Sequence, residues 1–146
     1  MNVFEEIKKD HEKQREMMNR IADTEGDSKE REDAFSQFEN ELNAHALAEE
    51  QTFYASLMED PDGTEKARHS VAEHKKAIDI IGELKKTSMS SSGWLINFNK
   101  LKAENEHHME EEENEVFTRA KKVLSENETN DLGKAFRERK NAELDS

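Results

Sequence analysis

His45-Ala46-Leu47-Ala48-Glu49-Glu50-Gln51-Thr52-Phe53-Tyr54 decides the fold, because the chain contains this stretch twice. At an offset of 63 residues (108 − 45), His45 becomes His108, Glu49 becomes Glu112 and Glu50 becomes Glu113. Phe53 and Tyr54 return as Val116 and Phe117. Upstream the same offset turns His11 into His74, Phe35 into Phe98 and Phe38 into Leu101. An acid, Asp10 or Glu73, precedes the first histidine of each half. Each half therefore reads acid-His, 33 residues, then His-x-x-x-Glu-Glu and an apolar pair.

Around this repeat the apolar residues keep helical steps. Phe4, Ile7, His11, Gln14, Met18 and Ile21 are spaced alternately by three and four, the inward seam of a helix in a bundle. Phe35, Phe38 and Leu42 lead on to His45 and Glu49. Val71, Ile78, Ile81 and Leu84 surround His74. Phe98, Leu101 and Asn105 lead to His108 and Glu112. Breaks fall at Thr24–Ser28, Asp60–Gly63, Ser88–Gly93 and Ser125–Asn127, where Gly, Pro and capping residues gather. The pattern predicts helices near 2–23, 29–59, 64–87, 93–124 and 128–144. The expected fold is all-α: an antiparallel up-down-up-down four-helix bundle over 1–124, then a short extra C-terminal helix in an extension over 125–146. That helix is expected to pack on the bundle end.

Charged residues make up 39% of the chain, hydrophobic ones 32%, and the net charge is −13. Such a balance leans towards disorder. One proline and five glycines nevertheless leave long stretches without a breaker, and Glu, Lys, Ala, Leu and Met favour helix. Helices this polar have a thin core, which a bound metal would reinforce. The acidity argues against nucleic acid, whose phosphates need a basic surface. With no cysteine there is no disulfide framework, thiolate zinc site or cysteine nucleophile. The N-terminus lacks the basic and apolar regions of a signal peptide, and no run approaches the ~20 apolar residues of a membrane span. A cytoplasmic protein is expected.

The repeat also sets heights along the bundle. At 1.5 Å per residue, His11 and His45 stand ~20 and ~25 Å from their shared turn, and His74 and His108 ~20 and ~22 Å from theirs. All four imidazoles reach one layer, with Glu49 and Glu112 one turn away on the same faces. Imidazole suits iron, zinc, copper and nickel, and carboxylate bridges cations. Bundle cores build di-iron and di-manganese sites from such residues. The candidate metal ligands are His11, His45, Glu49, His74, His108 and Glu112. In the simplest arrangement two histidines serve each metal and both glutamates bridge the pair. Asp10, Glu50, Glu73 and Glu113 are candidates to hydrogen-bond the ligating imidazoles. His69 and His107 lie beside the seam and are read as surface residues, with His69 as a fifth metal ligand the alternative. Tyr54 is read as packing, with a hydrogen bond at the metals as the alternative. Trp94 is read as a core anchor, and Met17, Met18, Met58 and Met109 as filler.

Asp10-His11-Glu12, His45-x-x-x-Glu49-Glu50 running to Phe53-Tyr54, Glu73-His74, and His108-x-x-x-Glu112-Glu113 running to Val116-Phe117 resemble the hemerythrin-like, or HHE cation-binding, family over about residues 3–120. The resemblance implies a non-haem centre of two iron ions, oxo- or hydroxo-bridged, in an antiparallel four-helix bundle. It implies binding, sensing or reaction with oxygen, peroxide or nitric oxide, or a role in iron-linked stress response. Oxygen-carrying members carry a further histidine one turn along the third helix. Here the neighbours of His74 at that spacing are Ser70 and Ile78, so one metal lacks an imidazole and redox chemistry or sensing is favoured. The alternatives are a di-iron peroxidase or oxidase, and a regulatory module that answers to metal or redox state. The expected partners are metal ions and a small diatomic or peroxide ligand, with neither nucleic acid nor membrane. A protein partner would engage the C-terminal helix, and the chain would be a monomer or homodimer.

Overall fold

Capping explains where each helix starts. The computed structural model describes residues 1–145. Asn2 opens α1 (Val3–Ala22): its side chain accepts from the Glu5 N–H at 2.9 Å, and the Glu5 carboxylate accepts from the Asn2 N–H at 3.1 Å. Ser28 caps α2 (Lys29–Glu49), Asp60 caps α3 (Pro61–Lys85) and Ser91 caps α4 (Ser92–Glu111). Ser125 caps the final helix, α6 (Glu126–Leu144), with Glu128 closing a second capping box. The turn between α1 and α2 needs a left-handed residue, which Gly26 supplies at φ 57°.

Three details depart from the periodicity. First, α3 begins at Pro61 and not near 64: Asp60 accepts from the Gly63 N–H at 2.8 Å, and proline fits the first turn because its missing N–H would have no helical partner. Second, neither second helix of a hairpin is uniformly α. A π-helical turn, Glu50–Tyr54, follows α2, and another, Glu112–Val116, joins α4 to α5 (Phe117–Val123). The wider turn explains the consecutive apolar pairs, since Phe53 and Tyr54, and likewise Val116 and Phe117, are all buried. Third, Ile78 does not belong to the inner seam. It is 44% exposed, while Ala77 and Ile81 carry that face of α3.

α1 packs on α2 and α3 on α4, while α1 meets α4 and α2 meets α3, closing the four-helix bundle. Arg31 ties the two turns at one end, donating to the Thr24 carbonyl at 2.6 Å and the Met89 carbonyl at 2.9 Å. α6 is not a cap on the bundle end. It is 19 residues long and lies along α1 and α2. At Gly133 a Cβ would fall 2.4 Å from the Met1 carbonyl oxygen, so α6 approaches the N-terminus as closely as backbone allows. The last residue assigned to the C-terminal extension, Ser146, lies outside the described residues.

Two apolar clusters fill the interior. Met18, Ile21, Phe35, Phe38, Leu84, Trp94 and Phe98 form one, and Trp94, fully buried, stacks on Phe98 at 5.6 Å. Val3, Phe4, Ile7, Phe53, Leu57, Phe117 and Phe136 belong to the other. Met18 and Met109 are core residues, whereas Met58 is 45% exposed. Between the clusters lies a layer of buried histidines and glutamates.

Candidate metal centre

The six side chains named from the repeat all reach that layer, each 6% exposed or less. His11 comes from α1, His45 and Glu49 from α2, His74 from α3 and His108 from α4; Glu112 opens the second π-helical turn. Nothing apolar explains such a layer, because each buried polar group costs free energy unless partnered.

The Nε2 atoms face inward. His74 Nε2 lies 3.1 Å from His108 Nε2 and 3.1 Å from Glu49 Oε1. His45 Nε2 is 3.5 Å from Glu49 Oε2, and His11 Nε2 is 3.1 Å from Glu112 Oε1. Glu49 thus addresses both halves with its two oxygens. The donors fall into two groups that share it: His11, His45, Glu49 and Glu112, and Glu49, His74 and His108. Within each group the donor atoms lie within 4.8 Å of one another.

The Nδ1 atoms face outward, and each meets a carboxylate. His45 pairs with Asp10 at 2.8 Å, His108 with Glu73 at 3.0 Å, His11 with Glu113 at 2.8 Å and His74 with Glu50 at 3.3 Å. Such a bond fixes the tautomer, so the inward Nε2 keeps its lone pair for a cation. In sequence Asp10 and Glu73 precede a histidine, and Glu50 and Glu113 follow Glu49 and Glu112.

Tyr54 points its hydroxyl between the two inner glutamates, donating to Glu49 at 2.9 Å and contacting Glu112. One hydroxyl proton cannot serve both carboxylates. His11 Nε2, Glu49 Oε2 and Glu112 Oε1 are buried without a hydrogen-bond partner, despite the short His11–Glu112 separation. Unpartnered buried donors and acceptors converging on one space fit a bound cation better than a closed polar network.

This geometry offers nitrogen and oxygen donors that could hold a cation. The hemerythrin HHE cation binding domain matches residues 2–120. The chain belongs to that family. Its HHE fold is similar to the crystal structure of a hemerythrin HHE cation binding domain-containing protein from Mycobacterium kansasii, with a TM-score of 0.90 and 25% identity. That similarity covers 99% of this chain and 88% of the other. No curated protein matches the chain.

The charges of the HHE layer act on one another. Burial pulls the His45 imidazole down, but the Glu49 charge and the Asp10 bond raise it to about 10. Burial likewise opposes His74, which its Glu49 and Glu50 bonds raise to about 9. Burial and the neighbouring Glu49 push Glu112 up, whereas the His45 and His74 imidazoles overcome burial and hold Glu49 well below the carboxylate range.

The two halves have different surroundings. Beside His45, α6 places Phe136, ring centroids 5.4 Å apart. It also places Lys140, whose ammonium sits 2.8 Å from Asp10 and against Glu41, all three nearly buried. Arg137 adds bonds to Asp10 at 3.0 Å and Glu6. These α6 residues were missed in the sequence. Their signal is the spacing Thr129, Gly133, Phe136, Lys140, a buried helical face ending in a cation. Beside His74 and His108, a cavity of about 10 Å³ is lined by Leu42, Ala46, Ala77 and Ile78, room for about one water-sized guest. Among the described residues no helix is long and apolar enough to cross a membrane. As read from the sequence, His69 and His107 are exposed.

Proposed function

We propose that the chain is a non-haem di-iron protein that binds a small molecule such as oxygen, peroxide or nitric oxide, with His11, His45, Glu49, His74, His108 and Glu112 as the metal ligands. One observation carries the reading: six buried donors converge between two apolar clusters, with three of their atoms unpartnered. Four imidazoles with two carboxylates suit iron, and the absence of thiolate disfavours an iron–sulfur cluster. A pair of irons, when bound, would supply reversible redox chemistry. The chain's own residues do the rest. Glu49 addresses both groups of imidazoles. Asp10, Glu50, Glu73 and Glu113 orient the rings. Phe53, Phe117 and Phe136 keep bulk water out, and Tyr54 holds a proton at the edge of the carboxylates.

The small cavity beside His74 and His108 lies on the side where Ile78 stands one turn beyond His74. A second reading is a di-iron peroxidase, favoured by Ser70 and Ile78 standing where a further imidazole would otherwise take up a metal position. Elemental analysis with an optical spectrum of the as-isolated protein tests the first: two irons per chain with oxo-bridge absorption are expected, and zinc alone overturns it. Peroxide turnover by the iron-loaded protein, lost in His74→Ala, separates the second reading from simple binding.

A further inference from the structure

The chain holds four His-x-x-x-Glu pairs, and two of them are not in the buried layer. His69 with Glu73 on α3, and His107 with Glu111 on α4, face each other across the outer seam of that hairpin. His69 Nε2 lies 2.7 Å from Glu111 Oε1 and 3.5 Å from Glu73 Oε1. His107 Nε2 lies 3.1 Å from Glu111 Oε2. The side chains of His69 and His107 are 57% and 66% exposed, whereas Glu73 and Glu111 are largely covered. One nitrogen and two oxygens, from His69, Glu73 and Glu111, fall within 4.8 Å of one another, so one cation can touch all three.

We propose that His69, Glu73 and Glu111 form a surface site for one divalent transition-metal cation, iron(II) or zinc(II), and that it is the intake site of the buried centre. His107 holds the second oxygen of Glu111 and so positions it. Mixed imidazole and carboxylate donors select this class of metal over magnesium or calcium. Ion pairing alone is a weak reason for the cluster, since exposed pairs contribute only ~0–1 kcal/mol. Two further features point inward. A groove of about 280 Å³ beside His69 is lined by Asp62, Glu65, Glu111 and Glu115 against one cation, Lys66, a field that gathers positive charge. Glu73 belongs to both places: the oxygen nearest His69 also meets Nδ1 of buried His108, at 3.0 Å. A cation held by Glu73 is therefore one imidazole away from the buried layer.

The intake role rests on the reading of the buried layer as a metal centre; surface binding does not. Dialysis of the as-isolated protein against zinc(II) tests the binding. The wild type is expected to retain one zinc more than His69→Ala and Glu111→Gln, with the buried metal content equal in all three. Equal zinc in wild type and both variants overturns the site. If the buried layer holds no metal at all, its content is nil throughout while the one-zinc difference persists, so the two failures are distinguishable. The intake role is read from the rate of iron(II) uptake by the metal-free chain. His69→Ala is expected to load several-fold more slowly to the same final iron content, and His107→Gln to fall between. Equal rates overturn the intake role.

Discussion

Asp10 accepts the Nδ1 hydrogen bond of His45, 2.8 Å away on a different helix, although it sits next to His11 in the chain. The repeat copies this choice: Glu73, next to His74, serves His108. His11 and His74 are served in turn by Glu113 and Glu50, each from the other hairpin. The hairpins are thus laced together through the histidines, and outer carboxylates as well as inner ones govern the layer.

Glu49 and Glu112 are expected to differ as ligands. Glu49 is common to both donor groups, whereas Glu112 belongs to one. Glu49→Ala should abolish loading of both metals, while Glu112→Ala should keep the metal at His74 and His108. Metal content per chain checks this, and two metals retained in Glu49→Ala would refute it.

Removing the metals should lower the melting temperature by ~5–10 °C, as expected for a ligand that binds only the folded state. Chelation verified by elemental analysis, followed by a thermal melt, measures it. An unchanged melt would show that protons hold the layer as well as cations do.

Those protons give the metal-free chain a distinctive pH dependence. His45 and His74 are raised to about 10 and about 9 from an ordinary 6.5. A raised folded-state value stabilises fully below the unfolded value and is lost as pH climbs through the folded one. Stability of the metal-free protein should therefore fall between pH 7 and 10 by a few kcal/mol, read from denaturant midpoints across that range. Metal affinity runs the other way, weakening as pH falls, because each imidazole must release its proton to bind.

Lys140 is buried between Asp10 and Glu41. Lys140→Met should cost up to about 3–5 kcal/mol, since Asp10 and Glu41 lose their buried cation and keep only the more exposed Arg137 and Lys13. It should also loosen a metal bound at His45, whose Asp10 partner loses one of its two cations. Denaturant melts and the rate of metal release to a chelator measure the two effects. Unaltered release with lowered stability would confine Lys140 to a structural role.

Tyr54→Phe removes the hydroxyl that donates to Glu49 and contacts Glu112. The loss should cost ~1–3 kcal/mol in the metal-free chain and less once cations neutralise both carboxylates. Comparing the two melts decides it; an equal loss in both states would mean that Tyr54 bonds the glutamates regardless of metal.

Much of this was legible in the residues. The 63-residue repeat placed His11, His45, His74 and His108 at one height, and the three-four seam selected Glu49 and Glu112 over their neighbours for the interior. Glu50 and Glu113 are half-buried behind the histidines, one residue further round the helix. Seam and spacing work for these positions because a helix has fixed rise and twist, so sequence distance converts directly to height and direction. They failed at Ile78, a seam position that is exposed, because which side of α3 is covered depends on neighbours the periodicity does not name.

By itself the sequence determined the helices, their pairing into two similar hairpins and the polar layer between, since local periodicity and an internal repeat carry that information. Only the tertiary structure decided which acid serves which histidine, where the π-helical turns fall and how α6 lies. Those outcomes depend on distances between helices. Lys140 contacts Asp10 across 130 positions of chain, and no spacing rule within one helix encodes a partner that arrives only when α6 packs on α1 and α2.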